Sequence, residues 1–430
     1  MDKIIKVALC IVAPRILLEI FGVANANAFG LIISVLLLWL TEFLSLAYTS
    51  LMIPVLASLF GIMSYKQVLL SFANPILFLF LSCFFLSIAF SKSGLDRRIA
   101  FYIFKFDFFS RTTNRLLYTC IGLAWLLSMW ISNTAACAIL IPIVQSIYKD
   151  LRNTTDNENT FKKLLIGLAY GASIGGMCTP VGSPPNLLAL ATLNKLGYEI
   201  TFVKWVLIAL PISLFMLGLL VLLLNLLLKD KNLLIDNSKF SHNYSLLGKA
   251  SNEEVITFIS FTITLVLWIF PSFLPYIASF ASLTLPSLSL SEGGLIGTAI
   301  LFVYSLKGNN SSKRPLLDWD SVKNKVDWGV IILFGGGLCL GAIIDATGVG
   351  ATLSHGLSNG DYGVIQICLL VTFLGIFLSE LGSNTASAAI LLPIIVTLPI
   401  PHIDQALLPL YILCASFGAS FGFMLPTPIV

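Results

Sequence analysis

The chain has 430 residues, of which 57% are apolar and 11% charged, and a formal net charge of +4. This composition lies far outside that of soluble globular domains, so it excludes water as the main solvent of the folded chain. In a membrane protein basic residues mark the cytoplasmic loops, and we therefore expect the lipid bilayer as a partner and no nucleic acid.

Ten apolar segments are long enough to cross or enter a bilayer, and we predict a helix for each of them. In chain order they are residues 4–22, 28–43, 47–63, 74–91, 164–178, 205–228, 254–270, 292–306, 328–346 and 405–424. Two further stretches, 114–148 and 366–398, each contain two apolar arms that are broken at a polar tripeptide.

The first apolar segment resembles a signal peptide, because two lysines precede it, but no small-residue cleavage site follows. We therefore predict an uncleaved helix. Arg15 and Glu19 lie four residues apart within it, a spacing that favours a mutual ion pair over a proton relay.

The basic residues predict the topology. Of the 25 Lys and Arg residues, 21 fall at the N-terminus or in the segments 92–116, 148–163, 229–250 and 307–325. If 114–148 enters the membrane and returns on the same side, all these segments share one face, which the positive-inside rule makes cytoplasmic. The second interrupted stretch then enters from the opposite face, so the two helical hairpins oppose each other.

The two halves of the chain resemble each other in sequence. PILFLFLSCFFLSIAFSKSGL (75–95) matches VIILFGGGLCLGAIIDATGV (330–349), and WISNTAACAILIPIV (130–144) matches LGSNTASAAILLPII (381–395). AYGASIGGMCTPVGSPPN, which starts at residue 169, matches CASFGASFGFMLPTP, which starts at residue 414. With opposite orientations, the halves form an inverted repeat, which is typical of secondary transporters.

The tripeptides Ser132-Asn133-Thr134 and Ser383-Asn384-Thr385 each precede a helix-forming run, so we predict that they cap helix N-termini. The unpaired N–H groups and the positive dipole end of such a helix favour an anion in front of the tripeptide. Ser, Asn and Thr add neutral donors for carboxylate oxygens. A single SNT is usually an ordinary cap in a loop, but two copies in opposed apolar hairpins favour a binding site.

Prolines interrupt two further helices, at 179–186 and 426–428. Proline donates no backbone hydrogen bond, so upstream carbonyls are left free, and these suit a small hard cation such as sodium. The glycine-rich runs 171–176 and 335–337 are more typical of close helix packing than of phosphate loops. We found no catalytic constellation and expect neither an enzyme nor an organic cofactor. An anion channel is the remaining alternative, but the repeat favours a carrier.

Together these residues resemble the divalent-anion sodium symporters, the INDY-type di- and tricarboxylate carriers. The resemblance covers most of the chain, including WLTEFLSLAYTSLMIP (39–54), FANPILFLFL (72–81), both SNT tripeptides, TPVGSPPN and FGGGLCLGAIIDATG (334–348). It implies an all-α polytopic membrane protein with two inverted repeats, opposed re-entrant hairpins and broken helices. It also implies a homodimer with a scaffold and an elevator-type transport domain.

The resemblance further implies the division of the chain and the site. Residues 1–113 and 229–361 would hold scaffold helices, and residues 114–228 and 362–430 the transport regions. The implied first sodium site comprises Ser128, Ser132, Asn133 and Gly182, and the second Ser379, Gly382, Asn384 and Thr427. The implied substrate contacts are both SNT tripeptides, Pro185 and Thr427.

The implied function is sodium-coupled uptake of a C4-dicarboxylate such as succinate, malate or fumarate, in a bacterial inner membrane with a cytoplasmic N-terminus. A sodium-independent dicarboxylate exchanger and a carrier of citrate or sulfate remain alternatives. Relatives continue with one more helix after the last proline break, whereas this chain ends at Val430, so we expect either a truncated C-terminus or a protein without the final helix.

Overall fold

A computed structural model describes residues 3–23, 25–151, 158–229, 232–235, 238–273, 288–307, 313–349, 363–397 and 405–423. Within these ranges the chain is helical apart from turns, connecting segments and one pair of short antiparallel strands. Among the described residues, five helical segments are long and apolar enough to cross a membrane: Pro75–Ser93, Phe202–Leu227, Asn252–Ser272, Trp328–Thr347 and Val364–Leu381. The predicted all-α polytopic fold class is confirmed.

The elements are numbered in chain order over the described ranges. The helices are α1 (Lys3–Ile20), α2 (Ala26–Thr41), α3 (Leu46–Leu59), α4 (Tyr65–Leu69), α5 (Pro75–Ser93), α6 (Leu95–Phe104), α7 (Asp107–Ser110), α8 (Thr113–Ser128), α9 (Asn133–Leu151), α10 (Glu158–Gly176), α11 (Pro184–Lys195), α12 (Phe202–Leu227), α13 (Ser238–Leu246), α14 (Asn252–Ile269), α15 (Leu290–Val303), α16 (Trp319–Val322), α17 (Trp328–Thr347), α18 (Val364–Leu381), α19 (Asn384–Thr397) and α20 (Leu408–Ala419). The strands β1 (Ser305–Lys307) and β2 (Lys313–Pro315) pair in antiparallel fashion.

Helix packing divides the chain into two units. The first unit comprises the described parts of residues 1–77, 184–200 and 327–429. In it α17 packs against α3 and α19, and α18 packs against α20. The predicted Arg15–Glu19 pair is present in α1, with 3.4 Å between a guanidinium nitrogen and a carboxylate oxygen, so that prediction is confirmed.

The second unit comprises the described parts of residues 78–183 and 201–326. Here α10 packs against α8, α9 and α12, and α14 packs against α15. Arg98 on α6 fixes the segment between α13 and α14, because its guanidinium donates to Glu254 Oε1 at 2.7 Å and to three backbone carbonyls, those of Leu247, Gly248 and Lys249. This unit therefore holds its polar connecting segments by specific bonds as well as by apolar packing.

Helix α12 shows which solvent the exterior meets. Few of its 26 residues are buried, and large apolar side chains such as Leu207 and Phe215 are 68% and 71% exposed. In water an exposed apolar surface of this extent is unfavourable, whereas lipid tails solvate it, and the helix satisfies its own backbone hydrogen bonds. Its exposure is therefore what a membrane-spanning helix requires.

Several helices lie outside the predicted elements. We treated 92–116 and 229–250 as basic loops, and that is wrong, because α6 and α7 lie in the first and α13 in the second. The sequence reading also placed no helix between 178 and 205, where α11 occurs. Pro184 at its first position explains the start, because proline is favoured at the first turn of a helix.

Candidate functional site

Each predicted hairpin is a pair of helices joined by a short turn. We call residues 128–134 tip 1 and residues 379–385 tip 2. Tip 1 joins α8 to α9 in the second unit, and tip 2 joins α18 to α19 in the first unit. In both, the new helix begins at the asparagine of the SNT tripeptide.

The predicted capping role of the two serines is confirmed. Ser132 Oγ accepts a hydrogen bond from the backbone N–H of Ala135 at 3.2 Å, and Ser383 Oγ accepts one from Ala386 at 3.1 Å. Each bond satisfies one of the N–H groups that a helix start leaves without a partner. The remaining N–H groups of the first turn stay directed toward the space in front of the tip.

A second hydrogen bond, between a serine and an asparagine side chain, closes each tip. The Ser128 hydroxyl donates to Asn133 Oδ1 in tip 1, and the Ser379 hydroxyl donates to Asn384 Oδ1 at 2.6 Å in tip 2. Both serines are buried, and both asparagines are part-buried. Since each Oδ1 receives a donor, the structure orients each asparagine so that its Nδ2 amide points away from the serine.

Four groups at the tips keep their donors available. Among the residues that the structure describes, the Nδ2 groups of Asn133 and Asn384 and the hydroxyls of Thr134 and Thr385 have no hydrogen-bond partner. Neutral N–H and O–H groups of this kind bind carboxylate oxygens without placing an uncompensated positive charge in an apolar site.

Oxygen atoms converge beside tip 1, where the helix break predicted at 179–186 begins. A Cβ atom added to Gly182 would lie 2.6 Å from the carbonyl oxygen of Gly176 and 2.9 Å from that of Ser128. A Cβ atom on Gly176 would lie 2.6 Å from Asn133 Oδ1. These approaches place Ser128, Asn133 and Gly182, three residues of the predicted first sodium site, around one point.

This cluster suits a hard monovalent cation. Its members are backbone carbonyls, an amide oxygen and a hydroxyl, which are the oxygen ligands that such cations prefer. Ser132, the fourth residue of the prediction, uses its Oγ for the helix cap. Thr179 holds the loop in place, because its hydroxyl donates to the carbonyl of Met129 at 2.6 Å.

The second predicted sodium site is only partly described. Ser379, Gly382 and Asn384 lie together in tip 2, and Gly382 adopts an extended backbone at the end of α18. A Cβ atom on Gly422, just after α20, would lie 2.6 Å from Ser379 Oγ. Thr427 lies outside the described residues. Pro185 is buried in the first turn of α11, within the first unit.

Sequence reasoning missed three residues that shape the tips: Gly176, Thr179 and Gly422. The signal for Thr179 was available, since it opens the TPVGSPPN motif at the helix break. Gly176 ends the run 171–176, which we attributed to helix packing, and Gly422 lies in the matching segment of the second half. Their close contacts with Asn133 and Ser379 depend on distant segments and leave no local pattern in the sequence.

Comparison with known proteins shows which family the chain belongs to. The family model described as citrate transporter matches residues 36–415. An uncharacterized transporter of Haemophilus influenzae is 34% identical over 411 residues, which cover 93% of this chain and 82% of the relative. A sodium-dependent dicarboxylate transporter, SdcS, of Staphylococcus aureus is 32% identical over 402 residues, which cover 90% of this chain and 75% of the relative. The chain belongs to the citrate transporter family, the divalent-anion sodium symporter type, and is a multi-pass membrane transporter and not an enzyme.

Proposed function

We propose that this protein couples sodium entry to the uptake of a C4-dicarboxylate, by a mechanism of alternating access. The observation that carries the proposal is the shared closure of the two tips, in which a serine hydroxyl binds the asparagine Oδ1 and leaves the Nδ2 donor available. Two such donors suit a substrate with two carboxylates. The relative named sodium-dependent dicarboxylate transporter supports the choice of both solutes.

The arrangement of tip 1 gives a reason for coupling. Asn133 offers its Oδ1 to the oxygen cluster and its Nδ2 to the space in front of the tip, so one side chain serves both solutes. A dianion that leaves water for an apolar site requires compensating positive charge, and the donors at tip 1 are neutral. Sodium in the oxygen cluster would supply that charge. The dicarboxylate therefore binds tightly only when sodium is present.

The finer features of the proposal come from the sequence. We propose two sodium sites, with Ser128, Ser132, Asn133 and Gly182 in the first and Ser379, Gly382, Asn384 and Thr427 in the second. The basic segments favour a cytoplasmic N-terminus in a bacterial inner membrane. The inverted repeat, the elevator-type motion and the homodimer are implied by the family resemblance and stay predictions.

Uptake of radiolabelled succinate into proteoliposomes tests the proposal. We expect an inward sodium gradient to accumulate succinate in empty vesicles above its external concentration. With equal sodium on both sides we expect only downhill succinate entry, and with no sodium we expect little entry. Uptake that ignores sodium and needs internal succinate would contradict coupling and support the exchanger. Citrate and sulfate, offered as competitors, test the choice of substrate, since a C4-dicarboxylate carrier should retain succinate uptake in their presence.

A further inference from the structure

A large cavity lies in the second unit, between the end of α5, the helix α6, the return helix α9 of tip 1 and α13. Its volume is about 870 Å³. Basic side chains form its exposed rim, and the apolar residues Phe101, Phe240 and Ile143, all buried, form part of its wall. The rim side chains are Lys92, Arg97, Lys239 and His242. We call this space the basic cavity.

The charges of the basic cavity favour an anion. Its lining carries three formal positive charges, with histidine neutral, and one negative charge, that of Asp96. Arg97 is held over the ring of Phe101, with its Cζ atom 5.4 Å from the ring centroid. Excess positive charge around an apolar wall raises the local concentration of anions.

Asp96 is the only acid among the residues that line the cavity in the described part of the chain. It is 5% exposed, and its carboxylate accepts a hydrogen bond from the backbone N–H of Arg97 at 2.6 Å. Burial raises the pKa of this carboxyl. When charged, Asp96 opposes an entering anion, so its removal and the removal of a rim cation should have effects of opposite sign.

Part of the cavity wall belongs to the helix that starts at tip 1. Thr134, Ala138 and Pro142 follow each other at four-residue spacing, so they share one face of α9, and all three are exposed. Ala138 and Pro142 line the basic cavity. At 1.5 Å per residue, Thr134 and Pro142 are about 12 Å apart along the helix axis. One open helix face therefore leads from the cavity to the proposed substrate donors.

We propose that the basic cavity is a second binding site for the dicarboxylate, occupied on the path between the cytoplasm and tip 1. The proposal rests on the proposed function and orientation, because α6 and α13 lie in the basic segments assigned to the cytoplasmic face. The volume is ample for a C4-dianion, within the usual range of small-molecule sites. A lipid phosphate shares the anionic chemistry of the carboxylates, and the test must distinguish these two sources.

Binding to a tip-deficient protein tests the site without transport. We would measure saturation-transfer NMR of succinate with the Asn133→Ala/Asn384→Ala protein in phosphatidylcholine nanodiscs, at low and high salt. We expect residual succinate binding that weakens with salt. Adding Lys92→Gln and Arg97→Gln should weaken it about fivefold for each charge removed, and Asp96→Asn should strengthen it by a similar factor. Lys325→Gln, which removes an exposed cation that does not line the cavity, should change nothing.

Exchange kinetics supply a second readout in a protein with intact tips. With saturating external succinate, Lys92→Gln/Arg97→Gln should raise the half-saturating concentration of cytoplasmic succinate several-fold. With saturating internal succinate, the half-saturating concentration of external succinate should stay unchanged. A structural role for these cations would instead impair both sides.

The proposal fails if the tip-deficient protein binds no succinate and the exchange kinetics of the charge variants are unchanged. It also fails if the charge variants change the half-saturating succinate concentration equally on both faces. Repeating the binding measurement in nanodiscs that contain phosphatidylglycerol gives the third outcome, in which only these nanodiscs show a response to the charge variants. The last result would assign the cavity to lipid headgroups. These outcomes are separate from the proposed function, which fails if the wild-type protein shows no sodium-driven uptake.

Discussion

The two tips share their side-chain hydrogen bonds and differ in their surroundings. Each has a capping serine and a serine hydroxyl bonded to the asparagine five residues later. Yet Thr134 in tip 1 is exposed, whereas Thr385 in tip 2 is 8% exposed. Directly after the buried serine, tip 1 has the neutral Met129, whereas tip 2 has Glu380, which is 7% exposed. The same local fold thus presents an open, neutral face at tip 1 and a packed, acidic one at tip 2.

This difference indicates a division of work between the tips. An acid close to a tip favours a cation and opposes an anion. An exposed threonine can bind a substrate without displacing packed neighbours. We therefore expect tip 1 to contribute more to the dicarboxylate and tip 2 more to sodium, with the asparagine of each tip proposed to contact both solutes. Substitutions at matching positions can break or sharpen this comparison.

The largest effect should come from the asparagines, where the tips are most alike. In the proposed roles of these residues, Asn133→Ala and Asn384→Ala each remove a donor to a carboxylate and an oxygen offered to sodium. Because bonds to charged groups are worth about 1.5–3 kcal/mol and each side chain serves two solutes, we expect succinate uptake to fall at least about 100-fold. Initial rates in proteoliposomes measure this. Asn324→Ala, on an exposed position, is the control, and full uptake by either tip variant would contradict the shared role.

Gly182→Ala tests the oxygen cluster of tip 1. A Cβ atom at this position would lie 2.6 Å from the Gly176 carbonyl oxygen, so the backbone must shift. Overpacking of this kind costs about 1–3 kcal/mol, and we expect the half-saturating sodium concentration to rise about tenfold. Gly122→Ala, where a Cβ atom meets nothing within 4 Å, is the matched control in the same unit. Equal sodium curves for the two variants would exclude Gly182 from the site.

Glu380→Gln tests the acid that distinguishes tip 2. Loss of a negative charge near a cation should raise the half-saturating sodium concentration about fivefold. At saturating sodium, the KM for succinate should stay the same or fall, because repulsion of the anion is removed. Glu253→Gln, at an exposed position, is the control. An unchanged half-saturating sodium concentration would show that Glu380 has no part in sodium binding.

The two threonines should give the smallest effects and the most direct contrast. Valine keeps the shape of threonine and removes the hydroxyl. We expect Thr134→Val to raise the KM for succinate about threefold, the worth of a weak hydrogen bond, and Thr385→Val to change it less than that. Sodium-driven uptake at varied succinate measures both. The reverse order would contradict the assignment of the open face to the substrate.

Much of the tips could be predicted from the sequence, because their signals are local. A polar tripeptide in an apolar stretch predicts the turn, the cap and the helix start, and the structure has Asn133 and Asn384 at those starts. The Ser128–Asn133 bond spans only five residues. These features depend on neighbouring residues and therefore leave a readable pattern.

The remainder depends on contacts between distant segments. Gly176 approaches Asn133, 43 positions earlier in the chain, and Gly182 approaches Ser128, 54 positions earlier. A glycine-rich run does not indicate which distant oxygen each glycine will contact. Helix α6 is short and amphipathic, and its basic residues led us to predict a loop. It lines the basic cavity together with α13, which lies more than 130 residues later in the chain. Long-range packing of this kind follows from the fold and not from a local motif.

Sodium influx driven by the substrate is the measurement that tests the central claim most directly. Proteoliposomes would receive radiolabelled sodium at equal concentration on both sides, with external succinate added at time zero. We predict a burst of sodium entry that follows succinate entry in the wild-type protein and is lost in Asn133→Ala. Succinate entry without accompanying sodium entry would contradict the coupling on which the account depends.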